Sequence, residues 1–136
     1  MDRQALQALL ETLLERWEGE VVEFKRAGND YSSDKIGRYF SALANEANLR
    51  NQERAWLVFG VDNGTRLVAE GGTDYRPQPE RLHHLKMEIS DCTEPSVTLR
   101  DIHELKLDAG RVLLFEIPAA PLGLPIAWKG HYYARS

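Results

Sequence analysis

The stretch Trp56-Leu57-Val58-Phe59-Gly60-Val61-Asp62-Asn63-Gly64 decides how the chain folds. Its first six residues, five of them large and apolar, carry no charge and then meet Asp-Asn-Gly. An apolar run of this length, rich in aromatic and β-branched residues and closed by a turn signal, predicts a strand buried on both faces. Asn63-Gly64 is a dipeptide that tolerates positive φ, so the strand is expected to reverse tightly into residues 66–69. Asp62 then stands at the strand's exposed end, a position that suits either turn-making or chemistry.

Upstream of this strand, Leu6, Leu9, Leu10, Leu13, Leu14 and Trp17 recur at steps of three and four, which predicts an amphipathic helix ended by Gly19. Residues 20–25 read as a short strand in which Val22 and Phe24 face opposite to Val21 and Glu23. Residues 26–31 hold Gly, Asn and Asp and read as a loop. Ser32 or Ser33 then caps a second helix with Asp34 in its first turn. Ile36, Phe40, Leu43, Ala44 and Ala47 form its inner face, and the small residues there permit close approach to a sheet.

Downstream, residues 71–79 form a loop, and Pro79 suits the first turn of a third helix striped by Leu82, Leu85 and Ile89. The last third reads as β structure. Val97 and Leu99 alternate with polar neighbours, and residues 104–107 and 111–117 flank Asp108-Ala109-Gly110 as a hairpin. Residues 118–125 hold Pro118, Pro121, Pro125 and Gly123 and predict an extended connection. Two further short strands, 126–128 and 131–134, turn at Lys129-Gly130. The order predicts an α+β (mixed α/β) fold, with a central mixed β-sheet packed with about three helices.

At 136 residues the chain is one domain, long enough to bury a core, and 43% hydrophobic with 28% charged content is ordinary for a globular protein. A formal charge of −4 gives no overall basic signature, so nucleic-acid binding would have to come from local patches. The single cysteine, Cys92, excludes an internal disulfide and suits a reducing cytoplasm. Neither a signal-peptide core nor a membrane-length apolar run is present. The expected protein is soluble and cytoplasmic. Because the chain stops at Arg135-Ser136 directly after a strand, it is expected to be the N-terminal fragment of a longer protein.

Three acids stand out. Glu18 and Glu23 straddle the first helix-to-strand junction, and Asp62 ends the strand expected to lie beside residues 20–25. Carboxylates that converge at strand ends hold Mg²⁺ or Mn²⁺, which activate water against a phosphodiester. From spacing alone the plainer reading comes first, with Glu18 and Glu23 as solvated surface acids and Asp62 as a turn residue, because a chain with 21 acids offers many such triples. Basic residues gather on the same elements: Lys25 and Arg26 after the first strand, Lys35 and Arg38 early in the second helix, Arg50 and Arg54 before the central strand. Lys129, His131 and Arg135 interleave with Trp128, Tyr132 and Tyr133 at the end. Such a mixture contacts phosphates and stacks bases, or simply faces solvent. His83-His84 fall about 100° apart on a helix and form no metal pair. No phosphate-binding Gly-x-x-x-x-Gly-Lys-Ser/Thr loop occurs, so ATP binding has no support in the sequence.

Taken together, Glu18…Glu23-Phe24-Lys25, Ser41-Ala42-Leu43-Ala44-Asn45-Glu46-Ala47, Phe59-Gly60-Val61-Asp62-Asn63-Gly64 and Gly130-His131-Tyr132-Tyr133-Ala134-Arg135-Ser136 resemble the Schlafen-type AlbA-like domain, once described as a divergent AAA-type module. Each motif is weak alone, and all four in order are fairly specific. One departure is visible. The family commonly joins the Ala-Asn helix to the central strand by Gly-Gly, whereas here the longer, charged segment 46–54 does so, similar to a bacterial subgroup in which the domain opens a larger transcriptional regulator or ATP-binding protein. The resemblance implies binding of DNA or RNA, with Lys25, Arg26, Lys35, Arg38, Arg54, Lys129 and Arg135 meeting phosphates. In the animal branch it implies a metal-dependent RNase, whose acidic triad Glu18, Glu23 and Asp62 match by position. A third expectation is a non-catalytic dimerisation or sensing module attached to a C-terminal ATPase, with a homodimer contact formed by residues 118–125 and the terminal strand.

Overall fold

The protein is described by a computed structural model that covers residues 1–15 and 21–135. The chain forms α1 (Arg3–Leu14), β1 (Val22–Lys25), α2 (Ser33–Leu49), β2 (Arg54–Phe59), β3 (Gly71–Gly72), α3 (Pro79–Cys92), β4 (Thr93–Glu94), β5 (Asp101–Lys106), β6 (Gly110–Pro118), β7 (Ala127–Trp128) and β8 (His131–Tyr132). The expected mixed α/β architecture is present. β1, β2, β6 and β3 lie in that order in a five-stranded sheet with β5 also paired to β6, and β4, β7 and β8 make a small antiparallel sheet.

β2 is the centre of the main sheet. It pairs in parallel with β1 and antiparallel with β6. Its alternate residues enter two cores, because successive strand side chains point to opposite faces. Leu57 and Phe59 pack with Phe40, Leu43, Leu85 and Ile89 of α2 and α3. Trp56 and Val58 pack with Leu6, Leu10 and Leu13 of α1. Both faces are covered, which is why this strand reads as an unbroken apolar run. Phe59 anchors the aromatic part of the larger core, meeting Tyr31, Tyr75 and Phe115 edge-on at 4.9, 5.3 and 4.8 Å between ring centroids.

Three expectations are corrected by the structure. Residues 66–69 do not return as a strand, since only a single bridge, Val61 to Val68, forms there. The place beside β2 belongs to β6, a nine-residue strand that is apolar through its middle. Gly60, at φ +97°, turns the chain out of the sheet where a Cβ would stand 2.6 Å from the Arg111 carbonyl oxygen. The turn itself is built by Asp62, whose Oδ1 accepts the N–H groups of Gly64 and Thr65 at 2.8 and 2.9 Å. Positive φ falls at Arg66 rather than at Asn63 or Gly64. Finally, Val97 and Leu99 lie outside any strand, because the Thr93 hydroxyl accepts the Val97 N–H and donates to its carbonyl, and the ladder starts only at Asp101. The helix end expected at Trp17 and Gly19 lies outside the described residues, as does Glu18.

The C-terminal segment is fastened across α2 by a polar clasp. Ser41 Oγ donates to the Ile126 carbonyl at 2.7 Å and accepts the Tyr133 N–H at 3.2 Å. Asn45 accepts the Ile126 N–H at 2.8 Å and donates to the carbonyls of Ile126 and Tyr133, each at 3.1 Å. Trp128 seats its indole over Gly37, where an added Cβ would fall inside the ring. Among the described residues no helix is long and apolar enough to cross a membrane.

The Gly37 notch is directly testable. Gly37→Ala gains about 1 kcal/mol of helix propensity, but overpacking a filled site costs about 1–3 kcal/mol. A net loss of stability is expected, read as a lower urea midpoint at unchanged m-value. A stabilised variant would show that the indole does not rest there.

Candidate nucleic-acid interface

The parallel strands β1 and β2 end together, Lys25 opposite Phe59, and the chain leaves β1 into the loop that leads to α2. On α2, Lys35, Arg38, Tyr39 and Ala42 lie three and four residues apart and so share one flank. The buried face of the same helix is carried by Ile36, Phe40 and Leu43. Tyr31 enters from the loop, and the clasp on Ser41 and Asn45 brings Tyr133 and Ala134 alongside. These residues enclose a cleft of about 410 Å³. Among the described residues its lining holds the cations Lys25, Lys35 and Arg38, the tyrosines 31, 39 and 133, and no acid.

Each cation is paired with a ring. Lys25 Nζ lies 5.3 Å from the centre of Tyr39, Lys35 Nζ 5.7 Å from Tyr31, and the Arg38 guanidinium 5.9 Å from Tyr133. A ring face attracts a cation without neutralising its charge, so these groups keep their charge for an anion. Arg38 also meets Asp34 at 2.9 Å, and Lys25 stands 4.0 Å from Glu23. Burial pushes the Tyr31 hydroxyl up to about 12, assisted by Tyr39 and by the negative charge of Glu23, so Tyr31 stays neutral at physiological pH.

The structure gathers some of the residues singled out in the sequence and separates others. Lys25, Lys35 and Arg38 converge. Arg135 lies next to the cleft wall, but its guanidinium meets Glu23 at 3.0 Å, both side chains being 12% exposed, and it reaches the Val22 carbonyl at 3.4 Å. Lys129 meets Asp34 at 3.2 Å and stands over the Trp128 ring. Arg26 points instead to Asp62, at 3.1 Å. Arg54 begins β2, five residues from the Lys25 end, or about 17 Å along the strand. There it joins Glu116, which also meets His103 Nε2, both contacts at 3.0 Å.

A metal-holding reading needs its acids to converge. Asp62 Oδ1 is taken by two backbone N–H groups and its Oδ2 by Arg26, while Glu23 is engaged by Arg135. Among the described residues no group of three His, Cys, Asp or Glu side chains is placed to hold a metal ion. Both carboxylates are thus engaged by arginines or backbone N–H groups in this arrangement, and Glu18 lies outside the described residues.

Tyr31 and Tyr39 were not singled out in the sequence. Their signal is the four-residue spacing Tyr31, Lys35, Tyr39, which places ring, cation and ring along one side of the helix start.

Fold and site together define a two-faced α/β domain with a basic, tyrosine-lined cleft at the end of its parallel strand pair. The sequence matches the family described as Schlafen, AlbA_2 over residues 18–136, and the chain belongs to that family. None of the curated proteins matches it. Among solved structures it is similar to the N-terminal domain of a RecG-related protein from Nitrosomonas europaea, with a TM-score of 0.61 and 20% identity over 95% of this chain and 87% of that one. It is also similar to the DIP2311 protein of Corynebacterium diphtheriae, with a TM-score of 0.56 and 20% identity over 93% of this chain. Of that protein this chain spans about a quarter, 24%.

Two partnered carboxylates, Asp34 beside the cleft and Asp62 in its turn, set an acid dependence. The Trp128 indole N–H, then Lys129, hold the Asp34 carboxyl below its ordinary value, and Arg38 adds to this. The backbone N–H groups of Thr65 and Gly64, with Arg26, do the same for Asp62. A carboxylate with a lowered folded value contributes stability above its unfolded value, about pH 3.9, and loses it as pH falls further. Urea unfolding at stepped pH should therefore show an acid limb below about pH 4 that Asp34→Asn flattens. An acid limb unchanged in that variant would contradict the assignment.

Proposed function

We propose that the domain binds nucleic acid, DNA or RNA, through the cleft between β1, α2 and the C-terminal segment, as the binding module of a longer bacterial transcriptional regulator. The observation that carries this reading is the composition of the cleft: three cations and three tyrosines and, among the described residues, no acid, in a chain whose formal charge is −4. Acids outnumber bases overall, so a cleft whose described lining holds three cations and no acid is a surface suited to an anion. Phosphates supply the charge that Lys25, Lys35 and Arg38 would meet, and rings beside cations suit the bases that come with them. The name of the Nitrosomonas protein relates it to a DNA helicase, and the Corynebacterium chain is about four times as long, which supports a module joined to other parts. The arginines on Glu23 and Asp62 favour binding over metal-assisted cleavage.

The test is fluorescence anisotropy against salt. Replacing Lys25, Lys35 and Arg38 together by Ala should weaken binding to all sequences alike. The slope of log K against log salt should become shallower by about 0.7–0.9 for each phosphate that the variant no longer neutralises. Lys106→Ala, on exposed β5, should change neither quantity. Absence of binding at low salt, or binding indifferent to the triple replacement, would refute the proposal.

A further inference from the structure

Beyond Tyr133 and Ala134, on the other side of the ridge these residues form, lies a second groove of about 370 Å³. It is lined by Asn45, Leu49, Leu124, Pro125 and Tyr132, with no charged side chain among its described residues. Several of these apolar groups are open to solvent: Leu49 is 76% exposed, Leu124 55% and Tyr132 67%. An apolar aromatic groove that shares a wall with a cationic cleft combines the two surfaces that an unpaired nucleotide presents, an anionic backbone and an apolar base face. A duplex presents only the first, because its bases are stacked inside.

We propose that the domain takes single-stranded rather than duplex nucleic acid. The strand crosses the Tyr133–Ala134 ridge, with phosphates at Lys25, Lys35 and Arg38 and an unstacked base in the apolar groove against Tyr132. This rests on the nucleic-acid reading of the cleft and adds the strandedness of the ligand and a residue that selects it. The ridge is rigid enough for the task. Tyr133 is bonded through both its N–H and its carbonyl to Ser41 and Asn45, so cleft and groove keep a fixed spacing. Tyr132 lies in β8 at the edge of the small sheet, just after the turn at Lys129 and Gly130, and its side chain is exposed rather than packed in the core. It can therefore be replaced without opening the core.

The experiment compares a labelled oligothymidine of about twelve nucleotides, within the usual range of single-strand site sizes, with a blunt duplex of equal length at equal low salt. Wild type, Tyr132→Ala and Tyr132→Phe are titrated, and the sedimentation of each is recorded. The expected result is tighter binding of the single strand, weakened about tenfold by Tyr132→Ala, restored by Tyr132→Phe, with duplex binding unchanged by either. Duplex binding as tight as single-strand binding, with Tyr132→Ala without effect on either, overturns this inference and leaves the nucleic-acid reading intact. A change in sedimentation with unchanged binding also overturns it, and assigns the groove to a second copy of the chain. Failure of both probes to bind at low salt removes the underlying reading as well.

Discussion

The fastening of the C-terminal segment to α2 is the constraint on which the rest of the candidate site depends. The cleft is not formed by one piece of chain. The segment that carries Trp128, Tyr133 and Arg135 is eighty or more residues away in sequence from the helix it lies on, as the Ser41 and Asn45 contacts to Ile126 show. Ser41 and Asn45 between them satisfy both backbone groups of Ile126 and both of Tyr133. Leaving such partly buried groups unpaired would cost about 1–3 kcal/mol each, so the segment has one energetically favoured seat. The Trp128 indole in the Gly37 notch and its bond to Asp34 at 2.8 Å fix the same seat from the other end.

The electrostatics follow from that placement. Once the segment is seated, Arg135 lies across β1 and meets Glu23, a pair in which removing either partner would leave a poorly solvated charge. Lys129 and Arg38 share Asp34. Of the acids near the cleft, Glu23 is met by Arg135, and Asp34 by Lys129 as well as by Arg38, so part of their charge is balanced by cations that do not line it. A chain that is acidic in total can thus present a basic surface. The exposed pairs on Asp34 contribute little to stability, so their main consequence is the shape of the local field.

Much of the fold was legible in the sequence. Periodicity in α2 and the unbroken apolar run of β2 follow from burial, and the hairpin at residues 108–110 and the Lys129-Gly130 turn follow from local backbone chemistry. The partner of β2 was not legible. Register with β6 is set by a contact some sixty residues distant, and the local Asn-Gly signal was overruled by the carboxylate of Asp62 and the bend at Gly60. The site was legible in part. Lys25, Lys35 and Arg38 could be picked out by type, but Arg54 and Arg26 were indistinguishable from them until strand direction placed one at the far end of the sheet and the other beside Asp62. The motif residues Ser41 and Asn45, which resemble family signatures, prove to be structural fasteners. Sequence shows that such residues recur in a pattern, and only geometry shows what they hold.

If the cleft, and no other basic surface of the domain, meets nucleic acid, the residues that respond to a bound strand are known in advance. Amide and side-chain chemical-shift mapping of the labelled domain during titration with an unlabelled oligonucleotide tests this most directly. Shifts are expected to concentrate at Lys25, Tyr31, Lys35, Arg38, Tyr39 and Tyr133, with the Arg54, His103 and Glu116 cluster unmoved. Shifts confined to that cluster, or to the Arg26 and Asp62 turn, would contradict it.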